Sequence, residues 1–296
     1  MRTIFLLSSI WILLQGCKAQ QKKINYKINK DENSLLWRIS GKGLKKPSYL
    51  FGTFHLMCRD DIHISDQLST AIKSADVVYM ELDMDDPATL LGGFTMMNMK
   101  GGKKLKDLYS DEEYQKVQDY FTDTLGMPIM LLEKTKPYFL VAMFYPKMMK
   151  CTNASGVEEV LMKIAKENKK EIKGLETMAF QSSVFDSIPY EWQAKELLKN
   201  IDSFNTYKED FDSMLVMYKN QQLGRLSELL NKDEATSDYE PLLLSKRNTN
   251  WVSQLKMLMK TKSIFTAVGA GHLVGEKGLI QLLRKAGYIV EPLLNN

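Results

Sequence analysis

Cysteine and histidine are scarce, with three of each in 296 residues. A core must therefore be built without a dense disulfide framework, and the length is ample for that. Imidazole chemistry is confined to His55, His63 and His272. An excess of charge is also missing. Forty basic residues against 36 acidic ones leave a net charge of +4, which does not suggest a nucleic-acid binder with its clustered basic face. The lysine pairs at 22–23, 45–46 and 103–104 read as solvated surface. No phosphate-binding loop, dinucleotide fingerprint, Cys-x-x-Cys pair or serine nucleophile elbow is present. No repeat of fixed period and no low-complexity tract is visible. Beyond residue 14, no stretch is long and apolar enough for a transmembrane helix. What is there is ordinary globular composition, 44% hydrophobic and 26% charged, at a length that suits one large α/β domain or two small ones.

The N-terminus is specific. Arg2 precedes a short apolar run, Thr3 to Leu14, too brief to span a bilayer. The run ends in Leu14-Gln15-Gly16-Cys17, which resembles a bacterial lipobox. Residues 1–16 then read as a lipoprotein signal peptide, and Cys17 as the acylated N-terminus of the mature chain. The alternatives are an ordinary secretory signal or an anchor that stays uncleaved. Multiple acyl chains hold a protein stably on a membrane where one would not. Lys18 follows the cysteine, with no aspartate there to retain the protein at the inner membrane. The expected location is the cell envelope, at the outer membrane. Residues 17–33 are polar and lysine-rich and read as a tether, leaving 34–296 as the domain. In an oxidising compartment the remaining cysteines, Cys58 and Cys151, could form a disulfide or stay as two buried thiols.

Along the domain, Leu35 to Ser40 and Ser48 to Phe54 read as strands separated by a Gly-rich turn. Val77 to Leu82, Ile172 to Leu175 and Ile264 to Val268 are unbroken apolar runs that suit strands buried on both faces. Tyr288 to Leu293 reads as a last strand at the edge. Helical patterns cover 65–74, 87–99, 111–125, 137–149, 157–168 and 275–286, and almost all of 177–260. The fold expected is α/β: a mixed, mostly parallel sheet covered by helices, with a long helical insert between the N- and C-terminal strands.

Chemistry-bearing residues collect at the ends of these strands. His55 closes Gly52-Thr53-Phe54-His55, and His272 closes Gly269-Ala270-Gly271-His272. Each leaves a strand, with a glycine that permits close backbone approach or unusual dihedrals. Glu81 lies near the end of the third strand, and Glu176 directly follows the fourth. Ligands of open α/β sheets bind outside the carboxyl ends of the strands, so four ionisable groups leaving four strands there point to a site. Individually each has a plainer reading. A histidine after a strand can be structural, Glu81 can pair with a lysine, and Glu176 can cap the next helix. His63, in Asp60-Asp61-Ile62-His63, reads as a surface-loop residue. The 18 methionines fall with leucine and phenylalanine on helical faces. They read as core or as the wall of an apolar groove near 137–149 rather than as copper ligands.

An ordered set of short motifs resembles one family. It runs through Trp37-Arg38-Ile39, Tyr49 to His55, Val78-Tyr79-Met80-Glu81-Leu82 and Gly174-Leu175-Glu176-Thr177. It continues with Gln181, Arg247-Asn248, Val268 to Leu273, Gly275 and Gly287-Tyr288-Ile289-Val290. The family is TraB/GumN, which is similar to the Tiki-type metalloproteases and more distantly to the erythromycin esterases. The resemblance implies a hydrolase fold with two Gly-x-x-His motifs, an essential glutamate and a divalent metal (manganese, cobalt or zinc). Carried over by position, the metal ligands are His55, Glu81 and His272. Glu176 is then a general base or orients a histidine, and Arg247 stabilises an oxyanion or binds a substrate carboxylate. Ser245-Lys246 stands before Arg247-Asn248, where the family commonly has an acidic residue. The expected substrate is a peptide or similar extracytoplasmic molecule. Open alternatives are a metal-free, esterase-like hydrolase and an envelope protein that sequesters a peptide or cofactor without turnover.

Overall fold

The computed structural model describes residues 32–232 and 239–295. The signal segment, Cys17 and the tether as far as residue 31 lie outside the described residues. Six strands form the main sheet: β1 (Leu36–Ser40), β2 (Ser48–Thr53), β4 (Val77–Met80), β6 (Glu171–Gly174), β7 (Ile264–Gly269) and β8 (Ile289–Pro292). A two-residue ribbon, β3 (Met57–Cys58) with β5 (Ala154–Ser155), stands apart from it. Across the main sheet the order is β6-β4-β7-β2-β1-β8. The first four strands run parallel, whereas β1 is antiparallel to both β2 and β8. The sheet is thus mixed and mostly parallel, with β8 at one edge.

Composition explains the order. The residues of β4 are all buried, and β7 is buried from Ile264 to Val268, as continuous apolar runs covered on both faces should be. These are the two middle strands of the parallel group. Covering helices are α1 (Asp66–Ser74), α2 (Pro87–Met96), α3 (Asp111–Asp119), α4 (Pro137–Val141), α5 (Tyr145–Met148) and α6 (Val157–Glu167). They continue with α7 (Met178–Asp186), α8 (Tyr190–Asp202), α9 (Phe204–Lys219), α10 (Leu223–Lys232), α11 (Lys246–Leu258) and α12 (Leu279–Lys285). Serines open two of these with side-chain caps: Ser65 accepts from Leu68 N, and Ser110 forms a capping box with Glu113. Strand β6 splits the helical residues, so α2 to α6 precede it and α7 to α11 follow it.

Two apolar clusters result. One surrounds the sheet and includes Trp37, Phe51, Phe265 and Trp251. The other lies among the helices and contains Val117, Phe121, Phe144, Met148, Leu197 and Phe211. Phe54, Met214 and Leu215 pack against both. Phe54 sits immediately before His55, its ring 5.2 Å from Tyr218 and 5.9 Å from Phe211. The helical cluster therefore fixes the chain where it leaves β2.

Candidate active site

The parallel strands all end at one edge, in the order β6, β4, β7, β2. Glu176, Glu81, the Gly269–His272 turn and His55 follow those four ends and form a row along that edge. The two Gly-x-x-His stretches pack on one another. A Cβ on Gly52 would come within 2.9 Å of a Leu273 methyl and 3.1 Å of the Ala270 Cα, so only glycine lets β2 approach the second motif so closely. A Cβ on Gly269 would stand 3.3 Å from Glu81 Oε1, 3.7 Å from His55 Nε2 and 3.8 Å from His272 Cδ2. Three chemistry-bearing side chains thus face one small space over a bare backbone. Neither glycine has positive φ, so both serve close approach rather than unusual dihedrals.

Arg247, on the first turn of α11, organises the buried side of this space. All its guanidinium hydrogens have acceptors. Nε donates to Glu176 Oε1 and Oε2 at 3.0 and 3.2 Å. Nη1 donates to Leu243 O at 2.9 Å and faces His272 Nε2 at 3.2 Å. Nη2 donates to Glu81 Oε2 at 2.6 Å and Glu176 Oε1 at 2.5 Å. Trp251, one turn along, lies 4.7 Å from the guanidinium carbon and donates its indole N–H to Glu176 Oε2 at 3.2 Å. Gln181 donates to both carboxylates, at 3.4 Å to Glu81 and 3.2 Å to Glu176. The Gly269 N–H holds the other Glu81 oxygen at 2.8 Å.

His272 has a defined tautomer. The Asn248 side-chain amide donates to His272 O and Lys277 O, so its oxygen is the group 2.7 Å from His272 Nδ1. Nδ1 therefore carries the hydrogen, and Nε2 presents a lone pair to Arg247. Burial drives the ring's pKa down to about 4 despite the Glu81 charge, so it is neutral at physiological pH. For Glu81, burial alone would raise the carboxyl. Positive charge on His272, which is itself protonated in that acid range, and on Arg247 and His55, together with the Gly269 N–H, outweighs burial and brings it to about 2. Glu176 moves the other way: burial raises it, and its bonds to Arg247 and Trp251 only partly offset this. Two neighbouring carboxyls pushed in opposite directions are a common mark of a reactive site.

His55 is the exposed member, with 74% of its side chain accessible. Its Nδ1 is 2.8 Å from Glu158 Oε1, an oxygen that also accepts from Thr53 Oγ1 at 2.6 Å. The Glu158 hydrogen bond, with the Glu158 and Glu81 charges, raises His55 to about 9, so the ring is charged at neutral pH and aims its Nε2 towards the space over Gly269.

His55, Glu81, Glu176, Arg247 and His272 thus come together at one edge, while His63 is exposed on its loop. Glu176 does not cap α7. Thr177 does, accepting from Phe180 N, and the Glu176 carboxylate turns to Arg247. It reaches His272 only through that guanidinium. Cys58 and Cys151 are bonded, with Cα atoms 5.9 Å apart. Sequence reasoning missed Glu158 and gave no role to Asn248, Trp251 or Gln181. The i, i+4 spacing of Arg247 and Trp251 was an available signal; for Glu158 the only sign was its position just after Gly156, in the first turn of a predicted helix.

A profile of the TraB/PrgY/gumN family matches residues 35–292. The chain belongs to that family. Among curated members, this TraB/PrgY/gumN chain is 23% identical over 346 residues to the Metalloprotease TIKI1 of Xenopus tropicalis, covering 97% of this chain and 68% of the relative. Against the human Metalloprotease TIKI1 it is 22% identical, covering 88% of this chain and 62% of the relative. It is 24% identical over 244 residues to the uncharacterized protein YbaP of Escherichia coli K12, covering 80% of this chain and 87% of YbaP. This chain thus spans about two thirds or less of each TIKI relative's length. No solved structure matches it.

The relatives' name raises a metal, and the donor set tests it. Protonation suits two of the three ligands, since Glu81 is anionic and His272 neutral, but not His55, which is charged at neutral pH. The disposition does not suit a metal. Among the described residues no three His, Cys, Asp or Glu side chains stand as a metal-holding group. Both nitrogens of His272 are engaged, and the guanidinium occupies the space between the carboxylates. As arranged, the buried cation of this site is Arg247.

Proposed function

We propose that this protein is a peptidase-like hydrolase of the cell envelope, acting on peptides or similar carbonyl substrates at the strand-end site. The observation that carries the reading is the convergence of His55 Nε2, Glu81 Oε1 and the His272 ring on the space over Gly269. Hydrolysis needs a proton donor and an anionic acceptor facing the same bond. His55, charged at neutral pH, holds a proton at Nε2 for the leaving group. Glu81, ionised and fixed by the Gly269 N–H and Arg247, orients a water. His272 and Glu176 hold the guanidinium that holds Glu81, and so position it. The TIKI relatives' description as metalloproteases extends the proposal to a divalent cation. Its ligands would be His55, Glu81 and His272; His55 must then give up its Nε2 proton, and Arg247 Nη1 must release His272 Nε2.

A metal-free, esterase-like reading has its own support, because every donor of Arg247 is already used within the cluster. One experiment separates the two. Full-length protein is incubated with peptide libraries in manganese, cobalt or zinc, and in parallel with a chelator. Time-dependent appearance of new amino termini, absent for His55→Ala, is the expected result. Cleavage that survives the chelator selects the metal-free reading. No cleavage in any arm contradicts the proposal and favours a binding protein.

Envelope attachment at Cys17 is part of the same proposal, supported by the Leu14-Gln15-Gly16-Cys17 tetrapeptide at the end of the apolar run. Among the described residues, no helix is long and apolar enough to cross a membrane. Mass spectrometry of the purified amino terminus should find acylated Cys17, and an intact residue 1 contradicts it.

A further inference from the structure

We propose that Glu158 is the positioning residue of His55, fixing its ring so that Nε2 faces the reacting space. The inference rests on the hydrolase reading but stands on geometry of its own. Glu158 lies 103 residues from His55 in sequence, yet its Oε1 is 2.8 Å from His55 Nδ1. Although the imidazole is largely exposed, the carboxylate behind it is not, with 23% of its side chain accessible. The same oxygen accepts from Thr53 Oγ1 at 2.6 Å, two residues before His55. Thr53 is itself buried at the end of β2. The carboxylate is therefore held from β2 before it holds the ring.

The backbone supports the pair from both sides. Val157 N donates to Phe54 O at 3.0 Å, and Arg59 N donates to Asn153 O at 3.1 Å. Between them lies the β3–β5 ribbon, and the Cys58–Cys151 bond ties the same two segments just beyond it. At Gly156 a Cβ would stand 2.7 Å from His55 O, so the segment carrying Glu158 sits directly on the segment carrying the histidine. A carboxylate on Nδ1 fixes the ring plane of an imidazole whose Nε2 does the work, and the tautomer of its neutral form. A surface ion pair between long, mobile side chains would show none of this support.

The chain's three histidines make the test direct. Protein labelled with nitrogen-15 only at histidine gives three ring systems, and His55→Ala assigns one of them. In the wild type, His55 should show a hydrogen-bonded Nδ1 proton protected from solvent exchange. In Glu158→Ala that signal should vanish, and kcat should fall about 10–100-fold with KM changed less than about two-fold. Glu158→Gln keeps an oxygen acceptor without the charge, folds in the same space, and should restore the protected proton and most of the turnover. Thr53→Val, which removes only the hydroxyl, should give a smaller loss of kcat. An unchanged His55 Nδ1 signal in Glu158→Ala overturns the assignment, as does turnover within about two-fold of wild type. Should wild-type protein cleave no peptide, the hydrolase reading falls, and the ring signal alone still decides whether Glu158 positions His55.

Discussion

Replacing Arg247 with alanine removes five N–H donors from a cluster that is nearly dry. The side chain is 8% accessible, and its partners Glu81 and Glu176 are 14% and 5% accessible. Two carboxylates would then lie buried with only Gln181, Trp251 and one backbone N–H left to them. Stripping one partner from a buried ion pair costs about 3–5 kcal/mol, because the remaining charge is desolvated without compensation. The lost packing of the guanidinium against Trp251, 4.7 Å away, adds to this by up to about 1 kcal/mol. Urea unfolding of oxidised protein at neutral pH measures it, with Glu176→Gln and the double variant completing a cycle. Neutralising Glu176 removes one of the stranded charges, so the double variant should be more stable than the sum of single losses predicts, by about 1–3 kcal/mol. Arg247→Lys keeps the charge but not the fork, and should fall between wild type and alanine. An Arg247→Ala loss below about 1 kcal/mol, or strict additivity in the cycle, refutes the view that this guanidinium is the buried cation of the site.

Three further outcomes follow from the same geometry. Gly269→Ala puts a methyl 3.3 Å from Glu81 Oε1 at a residue whose φ of −48° alanine tolerates. Peptide turnover should fall at least about ten-fold while stability changes by about 1 kcal/mol or less, read by parallel kinetic and unfolding assays. Removing the Cys58–Cys151 bond, which closes a sequence separation of 93 residues, should cost about 2–5 kcal/mol in urea unfolding of Cys58→Ser/Cys151→Ser. The last concerns pH. Asp186 pairs with Lys136, whose side chain is 1% accessible; burial opposes but the Lys136, Tyr190 and Lys100 hydrogen bonds prevail and depress the Asp186 pKa. A depressed carboxyl contributes stability that is complete above the unfolded value, about 4, and is lost as pH falls through the lower folded value. Asp186→Asn should therefore flatten the acid limb of the unfolding midpoint against pH, and an unchanged limb contradicts it.

Much of the sheet was legible because burial on both faces writes itself as an unbroken apolar run. Val77 to Met80 and Ile264 to Val268 are of that kind, and they became the central strands. The strand-end histidines and glutamates were legible for a related reason: a polar residue closing such a run has nowhere to go but the sheet's edge. The pairings behind them were not. Glu158 opens an amphipathic helix, where a glutamate is expected on helix-dipole grounds alone, and only the closeness of Gly156 to His55 brings it to the ring. Asn248 sits next to Arg247 in sequence, yet its role is to fix a tautomer 24 residues away. The expected helix 111–125 changes to a π-turn at Tyr120–Thr124, a change in hydrogen-bond register that apolar periodicity does not report. The last helix begins at Leu279 rather than near Gly275, because Gly275 takes a φ of +83° and turns the chain first. The β3–β5 ribbon is two residues a side, too short for any alternation to mark it.

The most direct test of the account is peptide hydrolysis by wild-type protein against the His55→Ala/His272→Ala double variant, with an unfolding curve confirming that the variant is folded. One imidazole lies at the mouth and the other behind it, each leaving its own strand towards Gly269. The account predicts turnover by the wild type and none above background by the folded variant. Equal cleavage by both would contradict the placement of the chemistry at this edge of the sheet.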